Sequence, residues 1–498
     1  MSASVLGLAD ALRPDVVAFV FLGVLLGYVV GVLPGLNRPA ALAIAVPLSY
    51  YMSPLSAVAF LIGIAKASGA GGATTAILIN TPGEPNAAAT ALDGYPLAKA
   101  GKGEKALKVA LYASVAGDIL ATTVLIVVAE PLAKLALKIG PVELAALTLL
   151  ALTFIAALSG NSLARGLVAA FLGILFAMVG TDAETATPRL TFGFIELADG
   201  VPIMAITVGM LAFTEMLIQG QEHLTRTREQ TAEPAGVAPT DSALTLAEIK
   251  NVTPTTLMSS AVGIVVGIIP GLGPTVASFL AYALAKRMAK PHERFGEGEL
   301  KGVAAAETAD NAVVPASLIP LFALGLPGSV SAAIIIAAFT VHGVTPGPRM
   351  FEEHGRLMYG IYGSMIVASL LMLVVGRVGL TLFAKLTRVP ATVIIPTVLA
   401  LCILGAYMET KSVFSVWLMF GFGVLGWVMH RFDYSRITFL IGFVVGPLFE
   451  LAVRQSIIIT HADPARMLQH PVALALVACA LVVALTFSLA PRSESSAR

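Results

Sequence analysis

Charge is what this sequence has least of. Only 12% of its 498 residues are Asp, Glu, Lys or Arg, against about 25% in soluble domains, while 57% are hydrophobic and the mean hydropathy is +0.88. That scarcity excludes a water-soluble globule and leaves a polytopic membrane protein. A net charge of +1 offers no basic surface to nucleic acid or another polyanion. The two cysteines, Cys402 and Cys479, fall inside apolar runs, so neither a disulfide nor a transition-metal site is expected. The N-terminus lacks a basic n-region and a cleavage site, so no removable signal peptide is expected. Missing too are Gly-x-Ser-x-Gly, His-Glu-x-x-His and Gly-x-x-x-x-Gly-Lys-Ser/Thr. The chain therefore reads as no enzyme, with no cofactor and no ATP hydrolysis of its own; uphill work would draw on an ion gradient.

What is there is apolar helix almost throughout. Spans need about 20 apolar residues, and roughly ten to twelve candidates fit. The fold class that follows is all-α, with two inverted-topology repeats and interrupted helices. One stretch, Lys66 to Pro96, is apolar enough for bilayer depth, yet Gly69, Gly71, Gly72, Pro82, Gly83 and Pro85 should interrupt it. Lipid cannot satisfy freed backbone groups, so such a break must be buried in protein or line a polar cavity. A paired break in the other half is the sequence mark of a carrier site, and Gly302 to Ser331 supplies it, with Leu-Pro-Gly-Ser against Thr-Pro-Gly-Glu.

The pairing extends along the chain. Gly31-x-x-Pro34-Gly35-Leu36 returns 236 residues later as Gly267-x-x-Pro270-Gly271-Leu272, and Pro82-Gly83 returns as Pro327-Gly328. Further matches, Tyr112 with Tyr362, Ser114 with Ser364, Pro141 with Pro390 and Asp182 with Asp433, indicate duplication. The expected organisation is repeat 1 over 16–218, a polar linker over 219–254, repeat 2 over 255–456, and an extra helix and tail over 457–498. Basic loops sit at non-equivalent places in the halves. This favours inversion, with Lys99 to Lys108, Lys286 to Lys301 and His430 to Arg436 on the cytoplasmic side, although Lys134 and Lys138 count against it.

For the substrate, the candidates are Gly71, Gly72, Thr74, Thr75, Pro82, Gly83, Pro327, Gly328 and Ser329. Free amides and hydroxyls at a half-helix N-terminus suit an anion, the alternative for the glycines being tight helix packing. Glu307, Asp310 and Asn311 share one helical face in an apolar stretch. Together with Asn80 and Asp118 they are candidates for a coupling cation, sodium or a proton, since intramembrane ionisable groups are functional by default. Lys66 either pairs with a carboxylate or substrate or snorkels to the interface. Glu215 and Glu450 read as interfacial caps on matching helices.

The combination of both Gly-x-x-Pro-Gly-Leu motifs, Gly71-Gly72, Ile77 to Gly83, Asp93-Gly94, Pro270 to Thr275, Glu307, Asn311-Ala312 and Gly325 to Ser329 resembles the large permease subunit of the bacterial tripartite tricarboxylate transporters, the TctA family. The resemblance covers about residues 16 to 456. It implies a multi-pass carrier of the bacterial inner membrane for carboxylates such as citrate. Its implied partners are a small membrane subunit and a periplasmic substrate-binding protein, with a cation gradient as the driving force. Two readings stand against it: an intramembrane enzyme using Glu307, Asp310 and His342, and a non-transporting membrane scaffold or sensor.

Overall fold

The computed structural model describes residues 3–33, 36–158, 162–182, 184–225, 243–386, 391–461 and 463–489. After α1 (Ala3–Asp10), the first half runs α2 (Pro14–Val32), α3 (Arg38–Ser49), α4 (Pro54–Ile79), α5 (Ala87–Lys99), α6 (Gly103–Ala136), α7 (Pro141–Leu158) and α8 (Leu163–Ala177). A short antiparallel hairpin follows, β1 (Gly180–Thr181) and β2 (Pro188–Arg189), with Gly180 opposite Arg189. The half closes with α9 (Ile203–Thr207), a π-helical segment Val208–Phe213, and α10 (Thr214–Thr225). The second half runs α11 (Leu246–Ile268), α12 (Gly273–Arg287), α13 (Leu300–Ala316), α14 (Leu318–Leu324), α15 (Val330–Val341), α16 (Met350–Glu353), α17 (Gly355–Leu386), α18 (Ala391–Thr410), α19 (Val413–Arg431) and α20 (Arg436–Thr460). Two helices, α21 (Pro464–Met467) and α22 (Pro471–Leu489), end the described chain. Among the described residues eleven helices are long and apolar enough to cross a membrane, so the chain is an all-α, multi-pass membrane protein.

The starts of the two halves are built alike, although one continuous helix of the first, α4, stands where the second has α13 and α14. In each, the first long helix crosses the third on glycines at equivalent positions. A Cβ on Gly27 would come within 2.7 Å of the Ile64 carbonyl oxygen, and one on Gly263 within 2.6 Å of the Ala309 oxygen. Small residues are used here because lipid supplies no hydrophobic drive between helices and close backbone approach must replace it. The ends of the halves exchange partners, α8 packing on α20 as α19 packs on the π-helical segment.

Two expectations change, that for the glycines of α4 and that for Glu215 and Glu450. The glycines at 69, 71 and 72 do not break α4, which is continuous from Pro54 to Ile79. Glycine lowers helix propensity by only about 1 kcal/mol and keeps its N–H, and here it admits neighbours: a Cβ on Gly71 would lie 2.8 Å from the Tyr28 oxygen. The helix stops instead at Asn80, whose left-handed φ of 51° ends it while its N–H donates to the Thr75 oxygen. The polar stretch 219–254 gives both described ends to helix, α10 through Thr225 and α11 from Leu246, the latter closed by a Thr245–Glu248 capping box. Glu215 and Glu450 lie within α10 and α20 and form ion pairs, with Arg436 at 3.6 Å and with Arg454 at 2.6 Å. Pro34, Gly35 and Pro390 lie outside the described residues.

Asp93 shows what the Asp-Gly pair does. Fully buried, its Oδ1 accepts the backbone N–H groups of Gly296, Gly298 and Glu299, and its Oδ2 accepts the Tyr282 hydroxyl at 2.9 Å. This pins the loop before α13 to α5 and brings the basic segments 99–108 and 286–301 to the same end of the molecule.

Candidate functional site

Four helices begin at one place. A cavity of about 420 Å³ is lined by Asn37 and Arg38 at the start of α3, Glu84 to Asn86 before α5, Gly271 to Val276 around the start of α12, and Gly328 to Ser331 at the start of α15. Two of these termini come from each half, at equivalent positions. Both breaks that create them use Pro-Gly, and the second is sharpened by Gly325, whose φ of 74° turns the chain after α14. In the second half the Gly271 N–H donates to the Gly328 oxygen at 3.3 Å, tying the two starts together. Asn37 and Ser329 cap their helices through Ala40 and Ala332, at 2.9 and 3.1 Å, whereas α5 and α12 carry no side-chain cap. At α5 the first amides turn back onto the carbonyls of Glu84, Pro85 and Asn86, so it is the uncapped start of α12 and the converging positive dipole ends that make the cavity an electrophilic pocket. Val313, Val314, Ile437 and Ile441 give it apolar walls, the usual lining of a small-molecule site.

Beside the cavity lies a buried ionic network. The Arg38 guanidinium reaches both Asp310 carboxylate oxygens, at 2.9 and 3.2 Å, and the Ser68 hydroxyl at 3.3 Å. Its backbone N–H donates to Glu84 Oε1 at 2.6 Å, and Nη2 stands 3.5 Å from Oε2. Arg38, Glu84 and Asp310 are each at most 5% exposed, so removing Arg38 strands both carboxylates. The space for this network is made by Gly69, where any Cβ would strike Arg38 and Asp310.

A second network sits deeper. Lys66 is fully buried, and its Nζ donates to Asp118 Oδ2 at 2.8 Å, Thr122 at 3.1 Å, Ser369 at 3.1 Å and the Met365 oxygen at 2.9 Å. Pairing with a carboxylate is thus the role it takes, since four partners saturate an ammonium group. Between the networks stands Glu307, 2% exposed, accepting hydroxyl hydrogen bonds from Thr90 at 2.5 Å and Ser114 at 3.0 Å.

The candidate residues therefore divide. Gly328 and Ser329 line the cavity, and Glu307, Asp310, Asn311 and Asp118 gather in the buried core beside it. Gly83 packs beneath the first break, its Cβ position 2.7 Å from the Gly31 oxygen, and Pro327 is buried in the second. Gly71, Gly72, Thr74 and Thr75 stay within α4, where the Thr75 hydroxyl bonds back to the Gly72 oxygen at 3.0 Å. Asn80 and Pro82 are exposed, and neither lines the cavity. Arg38 is not among the sequence candidates, and Glu84 enters the sequence reading only as the last residue of the Thr-Pro-Gly-Glu turn. The available signal was charge balance, because Arg38 and Lys66 are the only bases between Asp15 and Leu97, and buried carboxylates must find partners.

A second cavity, about 750 Å³, lies under the β1–β2 hairpin along α20. Five of its charged groups are mutually paired, Arg454 with Asp182, Glu184 and Glu450, and Arg189 with Glu450.

Comparison with known proteins gives a consistent result. Residues 17–441 match the Tripartite tricarboxylate transporter TctA family. An uncharacterised 52.8 kDa protein from the TAR-I ttuC' 3' region of Agrobacterium vitis is 34% identical over 492 residues, 98% of this chain and 97% of that protein. An uncharacterised protein from the TAR-II ttuC' 3' region of the same organism is 33% identical over 197 residues, 40% of this chain and 81% of that protein. No solved structure matches the chain.

Proposed function

The chain belongs to the tripartite tricarboxylate transporter TctA family, and from that premise we propose that it is a secondary carrier's large permease subunit, moving a carboxylate through the cavity between its two interrupted segments. The observation that carries this reading is the meeting of four helix N-termini, two from each half, on one apolar-walled cavity. Amide groups and dipole ends favour an anion there without fixing its skeleton, so tricarboxylates, dicarboxylates and related acids are all eligible. TctA is a transporter family, and a tripartite system implies partner subunits: a periplasmic binding protein to deliver substrate and a small membrane subunit.

In this mechanism the substrate carboxylate takes the uncapped amides at the start of α12 and the Ser329 hydroxyl. The Arg38 network and Glu307 carry the compensating charge for a coupling cation. Transport follows from moving one half against the other about the shared cavity, with the equivalent breaks as hinges. The halves are taken as repeats of inverted topology, a reading supported by the basic segments 99–108 and 286–301, which occupy non-equivalent places in the two halves yet lie at the same end of the molecule.

The test is uptake of labelled carboxylates into proteoliposomes holding this chain with its small subunit and binding protein, under imposed sodium or proton gradients. Gradient-dependent uptake of at least one acid, lost in Thr275→Trp with the protein still folded, is the expected result. Uptake that survives a tryptophan in the cavity wall, or binding-protein capture with no uptake of any acid, would overturn it.

A further inference from the structure

The buried core between α6 and α13 holds more oxygen than its hydrogen bonds use. Six charged side chains are buried there and in the adjoining networks: Arg38 and Lys66 against Glu84, Asp118, Glu307 and Asp310. Arg38 answers Asp310 and Glu84, and Lys66 answers Asp118. Among the described residues no basic group pairs with Glu307, which has only the Thr90 and Ser114 hydroxyls. A buried carboxylate without a counter-charge costs several kcal/mol or more unless something neutralises it.

Unpartnered buried oxygens accompany it, among them those of Asn311 and Asp118. Asn311 is fully buried, and its Nδ2 is spent on the Glu307 carbonyl oxygen at 3.3 Å, while its Oδ1 has no hydrogen-bond partner among the described residues. Asp118 is fully buried too; its Oδ2 takes Lys66 and Ser369, and its Oδ1 is unpartnered. Buried polar atoms in native proteins are nearly always satisfied, so each exception calls for a missing water or ion.

Helix register brings these atoms together. α6 and α13 pack side by side in the same direction: the turns at 106–113 cluster with Val303 and Ala304, Ser114 bonds Glu307, and Gly117 abuts Thr308. Asp118 is one turn on from Ser114, and Asn311 one turn on from Glu307, so the same register brings Asp118 within about a turn of Asn311 along the seam.

We propose that Glu307, Asn311 and Asp118, with the hydroxyl oxygens of Ser114 and Thr90, bind one sodium ion between α6 and α13. The ligand set is all oxygen, as a hard cation requires. Among the described residues no group of three carboxylate, imidazole or thiol side chains is placed to hold a metal ion, which argues for a monovalent ion over a divalent one. A proton would neutralise Glu307 but leave the Asn311 and Asp118 oxygens unsatisfied; sodium serves all three. Since α5 and α6 belong to the first half and α13 to the second, the ion also cross-links the halves. The use of this ion as the coupling ion rests on the carrier reading; its binding does not.

The experiment is binding of radiolabelled sodium to the full chain purified in nanodiscs without substrate, with choline replacing sodium at constant ionic strength, read alongside thermal unfolding. Saturable binding of one ion with a rise in unfolding temperature is expected, weakened about tenfold or more in Asn311→Ala, Ser114→Ala and Thr90→Val and unchanged in Asn80→Ala. The Thr90 variant, isosteric, keeps the test valid if Asn311→Ala misfolds. No saturable binding by the folded wild-type chain, or equal binding by the three ligand variants, would overturn the site. Sodium binding without uptake leaves the site and removes the carrier; uptake driven only by protons, with no sodium binding, leaves the carrier and removes the site.

Discussion

The two breaks share a backbone and differ in chemistry. Thr81-Pro-Gly-Glu84 and Leu326-Pro-Gly-Ser329 occupy equivalent places, each ahead of a helix that starts at the cavity. The first puts a carboxylate at the final position, held by Arg38; the second puts a hydroxyl that caps α15. Duplication thus supplies amides in pairs while the side chains have diverged. An anion facing both breaks meets a negative charge on one side and a neutral hydroxyl on the other. On the carrier reading proposed above, the carboxylate is therefore better held by the second break than by the first.

The sharpest way to break this comparison is to remove Arg38. Arg38→Leu leaves Asp310 and Glu84 buried without a partner and should cost about 3–5 kcal/mol, read as a large fall in unfolding temperature. Arg38→Leu/Asp310→Leu should recover part of that loss, because one stranded charge goes with its partner. Next are the shared glycines. Gly83→Ala and Gly328→Ala each push a Cβ to 2.7 Å from a carbonyl oxygen, of Gly31 and of Ser317, so both should lose uptake and each cost about 1–3 kcal/mol of stability. If only one matters, the breaks are not equivalent.

Smaller changes test the chemical difference. Glu84→Gln keeps an acceptor for the Arg38 and Ser68 donors while removing the negative charge from the wall, so carboxylate affinity should rise about threefold, measured as a lower KM for uptake. Ser329→Ala removes a helix cap worth about 1 kcal/mol and should weaken substrate binding modestly, whereas Asn80→Ala, which puts alanine at a left-handed φ, should cost about 1 kcal/mol of stability and leave substrate binding unchanged. The smallest effect lies outside the candidate membrane spans. Asp182, in the hairpin, is held well below the usual carboxylate range by Arg454, aided by the Thr185 and Glu184 N–H groups. Its contribution is fully present above the ordinary Asp value of about 3.9 and is lost as pH falls through its lower folded value. Protease protection of the 180–200 loop should therefore hold from pH 8 to pH 5, whereas Asp182→Asn should weaken it across that range.

The breaks and their pairing were legible because Pro and Gly leave a chemical mark at each position that needs them. The consequence of Gly71 and Gly72 was misread, since a glycine in sequence marks either a break or a close crossing, and only the position of Tyr28 on the facing helix decides between them. Arg38 was hidden for a different reason. Its partner Asp310 lies 272 residues away, and no local pattern distinguishes a buried arginine beside a break from one that snorkels to the interface. The convergence of four helix starts was equally invisible, because periodicity places a terminus along the chain but not in space.

The most direct measurement is thiol labelling inside the cavity. Thr275→Cys and Ser331→Cys, in a background with Cys402 and Cys479 replaced, should react with a small membrane-permeant thiol reagent and be protected by a transported carboxylate at concentrations near its KM. Protection at both positions is the result the account predicts. Unprotected thiols at both positions while uptake proceeds normally would place the substrate elsewhere, and the cavity between the four helix starts would lose its role.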